Sequence, residues 1–154
     1  MQIELLQKYA KQKLMINQLQ FSIPVSNMIA SGMEVNMQTD GAIDRDGSIL
    51  DYCRLHDITI QTWSPFQYGF FEGVFIGSDK YPKLNALLDK LAEKYNVTPT
   101  TIASAWILRH PAKMQLISGS TSPKRIKEIA VASDITLTRE EWYQLYLAAG
   151  HILP

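Results

Sequence analysis

The residues whose types and spacing could do chemistry are concentrated in residues 117–125. There an apolar run ends in Ser118-Gly119-Ser120, and Ser122-Pro123 follows, which is typical of the N-cap and first position of a helix. A turn of this kind directs unpaired backbone N–H groups to one point and attracts an anion. Arg125 lies in the first turn of that helix, where a cation opposes the helix dipole. These residues predict a phosphate site, although capped strand-to-helix turns are common in α/β proteins and most bind nothing.

A second group of candidate residues follows a segment rich in β-branched residues, which predicts a strand over residues 57–63. Trp63 ends that strand, Ser64-Pro65 stops it, and residues 66–77 combine aromatic residues with glycines. This composition suits a binding loop. Aromatic side chains that plug the end of a hydrophobic core would give the same pattern, so the residues alone leave both interpretations open.

The elements that must position these groups alternate along the chain. Strands are predicted over residues 13–22, 57–63 and 114–117, an amphipathic helix over residues 1–10, helices over residues 48–55 and 82–95, and further helices beginning at Thr98, Ser122 and Thr138. The last of these opens with a capping box between Thr138 and Glu141. Residues 23–47 are predicted to form an irregular loop.

The order of these elements predicts an α/β fold with a parallel sheet, because the connections are long enough for parallel crossovers. No boundary divides residues 1–154. In such folds ligands bind where strands end and helices begin. The candidate positions at residues 18–22, 63–69 and 118–125 all lie at such ends.

Composition narrows the class of protein. In this chain of 154 residues, 15 basic residues balance 15 acidic ones, so no overall field favours nucleic acid or an anionic membrane. We expect a soluble protein, because no apolar run approaches the length of a membrane span. Cys53 is the one cysteine and cannot form an internal disulfide, which favours a reduced, cytoplasmic setting. No spacing indicates a metal site, and Asp44-Arg45-Asp46-Gly47 is interpreted as a solvated loop.

Three motifs in order resemble the C-terminal half of the aldo-keto reductases. They are Asn17-Gln18 in the first predicted strand, Trp63-Ser64-Pro65-Phe66 after the second, and Ile117-Ser118-Gly119-Ser120 through Arg125 after the third. The family comprises NADP(H)-dependent reductases of aldehydes and ketones on a (β/α)8 TIM barrel. The resemblance covers nearly the whole chain, from the helix before barrel strand 6 to beyond the helix after strand 8. It implies a single domain of parallel β/α units that forms part of such a barrel.

The resemblance implies a role for each matched residue in binding NADP(H). Gln18 matches the glutamine that hydrogen-bonds the nicotinamide carboxamide, and Trp63 matches the aromatic residue that stacks on the nicotinamide ring. Filling of the core is the alternative role for Trp63. Ser64 and the backbone from Pro65 to Phe66 match the loop that holds the pyrophosphate.

The third motif matches the residues that hold the adenosine end of the cofactor. Ser120 and Arg125 match side chains that bind the 2′-phosphate, which favours NADP over NAD, and Glu128 matches an adenine contact. Two positions depart from the family pattern. Gly119 stands where many members have a lysine, and Ile129 stands where many have an asparagine that contacts adenine. Both departures weaken the expected adenosine site.

The catalytic part of the family pattern has no match in the sequence. The tyrosine that donates a proton, the aspartate and lysine that lower its pKa, and a nearby histidine belong to earlier barrel strands, so we assign no catalytic residue here. Proton donation needs a group of tuned pKa beside the carbonyl. We therefore expect a fragment that binds NADPH weakly and turns over no carbonyl substrate alone.

Three parallel strands cannot close a barrel, so both sheet edges would be exposed. We expect the chain to self-associate or to pair with an N-terminal half. The alternatives are a non-catalytic nucleotide-binding or structural half-barrel that pairs with a partner, and an unrelated small α/β protein.

Overall fold

Three short parallel strands alternate with helices in the computed structural model, which describes residues 2–35, 37–44, 47–69 and 72–154. The strands are β1 (Ile16–Gln20), β2 (Thr59–Trp63) and β3 (Gln115–Leu116). The helices are α1 (Gln2–Tyr9), α2 (Asn27–Met33), α3 (Ile49–Leu55), α4 (Pro82–Tyr95), α5 (Pro99–Leu108), α6 (Pro123–Val131) and α7 (Arg139–Ala148), with short 3-10 turns at Asp40–Ala42 and Ala132–Asp134.

The strands form one sheet in the order β1-β2-β3, which confirms the predicted parallel α/β arrangement. The register places Gln18, Gln61 and Gln115 side by side. The Gln18 Nε2 donates to the Gln61 Oε1 at 3.1 Å, and the Gln61 Nε2 donates to the Gln115 Oε1 at 3.0 Å. We call these three residues the glutamine row. Because side chains alternate between faces, Ile60 and Thr62 point the other way, where both are buried. The sheet therefore has one covered face and one open, polar face.

The hydrophobic core lies on the covered face and is rich in aromatic residues. Trp106 of α5 stacks on Trp142 of α7 with ring centroids 4.7 Å apart. Each indole Nε1 donates to the backbone carbonyl of the other residue, at 3.0 and 2.9 Å. Phe21, which follows β1, stacks on Trp106 from the other side at 5.1 Å. The pair of tryptophans thus fixes α7 against α5 behind the sheet.

The strongest helix signals of the sequence are confirmed. α4 begins at Pro82, and α5 begins after Thr98, whose hydroxyl accepts the Thr101 N–H at 3.3 Å. α7 begins with the predicted capping box, in which Thr138 and Glu141 exchange hydrogen bonds. α5 and α7 start where a side chain pairs with an otherwise unpaired backbone N–H, whereas α4 starts at a proline, which has no N–H to leave unpaired.

The prediction of an irregular loop over residues 23–47 is wrong in part, because α2 forms at Asn27–Met33. Ser26 occupies its N-cap, but the Ser26 hydroxyl makes no cap hydrogen bond there. Burial of Met28 and Ile29 in the core supplies the stabilisation that the local sequence lacks. Tertiary packing rather than capping therefore accounts for this helix.

The helix predicted to begin at Ser48 is confirmed as α3, and Cys53 is buried within it. All three strands are shorter than predicted, and the two outer strands, β1 and β3, each have a neighbour on one side only. In the segment interpreted as a solvated loop, the Gly47 N–H donates to the Asp44 Oδ1 at 2.8 Å. Arg45 and Asp46 lie outside the described residues.

The described residues contain neither a metal-ligand cluster nor a membrane-spanning helix. No group of three or more His, Cys, Asp and Glu side chains is placed to hold a metal ion. None of the helices there combines the length and the apolar character that crossing a membrane requires.

Candidate functional site

The carboxyl ends of β2 and β3 border a cavity of about 390 Å³, a volume typical of small-ligand sites. We call it the β2-β3 cavity. It is lined by residues from the loop after β2 and the turn after β3, namely Trp63, Ser64, Pro65, Phe66, Gln67, Val74, Ile117, Ser118, Gly119, Ser120 and Arg125. Seven of the nine cofactor-binding residues predicted from the sequence are among them. Two motifs far apart in the chain therefore meet at one edge of the sheet.

The loop after β2 turns sharply at Ser64, whose left-handed φ of 49° ends the strand. The Gln67 N–H returns to the Ser64 carbonyl at 3.1 Å, and the Phe75 N–H donates to the Phe66 carbonyl at 3.0 Å. Trp63 is half-buried at the last position of β2. The strand thus delivers Trp63 to the cavity, and the loop holds Phe66 beside it.

The two interpretations of the aromatic loop apply to different residues. Phe75 is fully buried in the core and plugs the end of the sheet. Phe66 is half-buried and lines the cavity. Tyr68 packs against Tyr81 with ring centroids 5.5 Å apart. Phe70 and Phe71 lie outside the described residues.

The turn after β3 uses its own serine hydroxyls to satisfy backbone N–H groups. The Ser120 N–H donates to the Ser118 Oγ, and the Ser122 N–H donates to the Ser120 Oγ, both at 3.2 Å. A phosphate would have to take over these donors from the hydroxyls. That exchange is favourable in principle, because hydrogen bonds to an ionised acceptor are roughly twice as strong as neutral ones.

Arg125 supplies the positive charge of the cavity. Its side chain is exposed in the first turn of α6, and that turn contains no acidic residue. Within the described residues no carboxylate lies at ion-pair distance from this guanidinium. A cation there gains little from the helix dipole. Its charge is therefore available to an anion, and a guanidinium suits bidentate contact with phosphate.

Gln18 and Glu128 are the two predicted residues that do not line the cavity. Gln18 lies in the glutamine row, two residues before the Gln20 that pairs with Trp63. Glu128 lies farther along α6, and its backbone carbonyl accepts the Thr101 hydroxyl at 2.8 Å. Their roles toward a cofactor stay predictions.

Four lining residues are not among the nine predicted cofactor-binding residues, namely Gln67, Val74, Ile117 and Ser118. Gln67 and Val74 form an antiparallel bridge that closes the loop after β2. The glycines at positions 69 and 73 are the signal that could have indicated such a reversal. Gln67 is also anchored from outside the loop, since the Ser22 hydroxyl donates to its carbonyl at 2.8 Å.

The groups with the most strongly shifted pKa values lie away from the cavity. Burial lowers the pKa of His110 to about 4 and raises the pKa of Tyr146 to about 12. Among the described residues that line the cavity there is no His, Tyr, Cys, Asp, Glu or Lys. The cavity therefore offers an aromatic face, hydroxyls and a guanidinium for binding, without a general acid.

Comparison with known proteins places the chain in a family. The aldo/keto reductase family model matches residues 2–146. A 6-dehydroglucose reductase of Agrobacterium fabrum is 28% identical over 146 residues, which are 94% of this chain and 42% of that protein. An NADH-specific methylglyoxal reductase of Escherichia coli is 26% identical over an alignment of 111 residues, and the match covers 60% of this chain and 34% of that protein.

Solved structures show the same fold at lower identity. A variant of Gox0644, solved in complex with NADPH, matches with a TM-score of 0.62 and 17% identity, over 95% of this chain and 42% of that chain. The chain thus spans less than half the length of the proteins that it matches. The family match covers nearly all of the described residues, and the fold agrees with it. The chain belongs to the aldo/keto reductase family.

Proposed function

We propose that this chain is the cofactor-binding, C-terminal half of an NADP(H)-dependent reductase of aldehydes and ketones. The observation that carries the proposal is the β2-β3 cavity, in which Trp63–Phe66 and Gly119–Arg125 meet at the carboxyl ends of adjacent parallel strands. Family membership and the NADPH in the Gox0644 structure support the choice of cofactor.

The lining of the cavity fits the parts of NADPH. Trp63 would present its face to the nicotinamide ring, and Ser64 with the following backbone would hold the pyrophosphate. Ser120 and Arg125 would hold the 2′-phosphate, where the guanidinium has no competing carboxylate among the described residues. Gln18 would bind the carboxamide by giving up its bond to Gln61. The uncompensated charge is the feature that favours a phosphate over a neutral ligand.

The chemistry that NADPH supplies in such a reductase is hydride transfer to a carbonyl carbon. The chain's own residues bind and orient the cofactor, and Trp63 shields one face of its ring. The lining supplies no proton donor, so we propose that the chain alone does not reduce a carbonyl substrate. The proton relay would come from an N-terminal half.

A structural or nucleotide-binding half-barrel is the second candidate. The glutamine row favours this second candidate, because its side chains hydrogen-bond one another on an open face that a partner would cover. This candidate and the first differ in whether NADPH binds.

Titration of NADPH with the protein, followed by directly excited NADPH fluorescence, tests the proposed function. We expect saturable binding, weakened by about threefold to tenfold in Trp63→Leu because a stacked aromatic contact is worth about 0.5–1.5 kcal/mol. Tyr9→Leu removes an exposed aromatic residue far from the cavity and should bind as the wild type does. Absence of saturable binding, or equal affinities of wild type and Trp63→Leu, would overturn the proposal.

A further inference from the structure

The segment after α7 folds back onto the turn that follows β1. Gly150 has a φ of +97°, which lets the chain reverse. The His151 Nε2 then lies 2.8 Å from the Ile23 carbonyl oxygen and 2.8 Å from the Ser26 Oγ. The imidazole also stacks on Tyr146 with ring centroids 4.4 Å apart and planes at 24°. One side chain thus makes three contacts with two other elements.

The partners of His151 fix its tautomer. The Ile23 carbonyl can only accept, so the Nε2 must carry a hydrogen and donate it there. The Ser26 hydroxyl is fully buried and lies at the same short distance from that nitrogen. Ser26 stands at the N-cap of α2 without capping it. Because a protonated Nε2 cannot accept, the Ser26 Oγ accepts the same hydrogen, which it shares with the Ile23 carbonyl.

The same turn is attached to the loop of the β2-β3 cavity. The Ser22 hydroxyl donates to the Gln67 carbonyl at 2.8 Å and accepts the Val25 N–H at 3.2 Å. The Ser22 N–H donates to the Val25 carbonyl at 3.0 Å, which closes the turn. Gln67 follows Phe66 directly and lines the cavity. The hydrogen bonds of His151, the backbone of residues 22–26 and the bond from Ser22 to Gln67 therefore link the C-terminal segment to the cavity wall.

The cavity loop needs such an anchor because its own geometry is strained. Ser64 is a non-glycine residue with a φ of 49°, a left-handed conformation that is unfavourable for a residue with a Cβ. Inside the loop, the Gln67 N–H donates to the Ser64 carbonyl and the Tyr68 N–H donates to the Gly73 carbonyl, at 3.1 and 3.2 Å. The bond from Ser22 is the contact that joins this loop to the turn after β1.

We propose that His151 is a positioning residue for the β2-β3 cavity, which acts through residues 22–26 to hold the loop at residues 64–68. Its effect on cofactor affinity rests on the proposed function. Its effect on the loop does not, so the two can fail separately.

Amide hydrogen exchange of residues 64–68 tests the effect on the loop. His151→Phe keeps a ring to stack on Tyr146 and removes the donor, whereas His151→Gln keeps an amide N–H near the place of the Nε2. We expect exchange at Gln67 and Tyr68 to rise about fivefold in His151→Phe, the effect of losing one hydrogen bond of about 1 kcal/mol. His151→Gln should restore much of the protection. Ile152→Ala, at a half-exposed neighbour, should change nothing.

Ser22→Ala provides a second, independent break in the same set of contacts. It removes the bond to Gln67 without touching the C-terminal segment, and it should raise exchange of the same amides. Exchange within α4 reports global stability and should stay constant. Wild-type exchange of the amides at residues 64–68 in His151→Phe would overturn the proposal, as would wild-type exchange in Ser22→Ala or equal exchange in His151→Phe and His151→Gln.

NADPH titration of the same variants separates this inference from the proposed function. If the wild type binds NADPH, His151→Phe should weaken binding by about fivefold, in parallel with the loop exchange. If the wild type does not bind NADPH, the proposed function fails while the exchange data still decide the role of His151. Loosening of the loop with wild-type NADPH affinity would overturn the claim that the loop position matters for the cavity.

Discussion

Glu141 combines two roles in one side chain at the junction of α4 and α7. Its Oε2 accepts the Thr138 N–H at 2.8 Å, which completes the capping box. The same carboxylate accepts the Lys94 Nζ at 2.6 Å and the Tyr95 hydroxyl at 2.7 Å. Burial alone would raise the pKa of Glu141, but the hydrogen bonds from Lys94, Thr138 and Tyr95 lower it to about 2. The ionised form therefore stabilises the folded protein.

This depressed pKa predicts a pH dependence of stability. A carboxyl whose pKa falls on folding contributes stability above its unfolded pKa, and that contribution is lost as the pH falls toward about 2. Glu141→Gln should lower the free energy of unfolding by about 1–3 kcal/mol at about pH 7. In urea unfolding, the difference from wild type should shrink between about pH 4.5 and about pH 2. Glu140→Gln is the matched control at an exposed neighbour, and a pH-independent difference for Glu141→Gln would contradict this account.

The candidate site was predictable where side-chain type and position after a strand were sufficient. Trp63 and Arg125 line the same cavity because Trp63 ends β2 and Arg125 follows the adjacent parallel strand β3. The position of Gln18 depends on its bond to Gln61, a contact that only the register reveals. The Ser118 hydroxyl likewise accepts the Ser120 N–H, and this bond depends on a loop conformation that no residue pattern predicts.

At the scale of elements, the sequence was most informative where a helix carries its own start signal. α5 and α7 begin at capping residues that can be read directly, and α4 begins at a proline. α2 was missed because its stability comes from burial of Met28 and Ile29 beneath other elements. Strand ends were overestimated because hydrogen-bond pairing, not composition, determines where a strand stops.

At the scale of the whole molecule, the open face and edges of the sheet leave surface that a reductase barrel would cover. The glutamine row lies on that face, and Ile16 beside it is 55% exposed. α1 has no buried residue, and its Tyr9 is 76% exposed. The chain also spans less than half the length of its relatives. These features support the proposal that it associates with an N-terminal half or with a second copy.

Association is testable with a charge placed on the open face. Sedimentation velocity of the wild type should show dimers or larger species, because unpaired strand edges and apolar surface promote pairing. Ile16→Lys should shift the distribution toward monomer. Val131→Lys also replaces an exposed apolar residue by lysine, but on α6, and it should leave the distribution of species unchanged. A wild-type protein that stays a compact monomer and binds no hydrophobic dye would contradict this proposal.

In the proposed function, the β2-β3 cavity holds the 2′-phosphate of NADPH through Arg125. Calorimetric titration with NADPH and NADH measures this directly, since the two cofactors differ only in that phosphate. We predict tighter binding of NADPH, an affinity for NADPH about tenfold lower in Arg125→Gln, and an unchanged affinity for NADH. Arg139→Gln changes another exposed first-turn arginine outside the cavity and should have no effect. Equal NADPH affinities of wild type and Arg125→Gln would contradict the account.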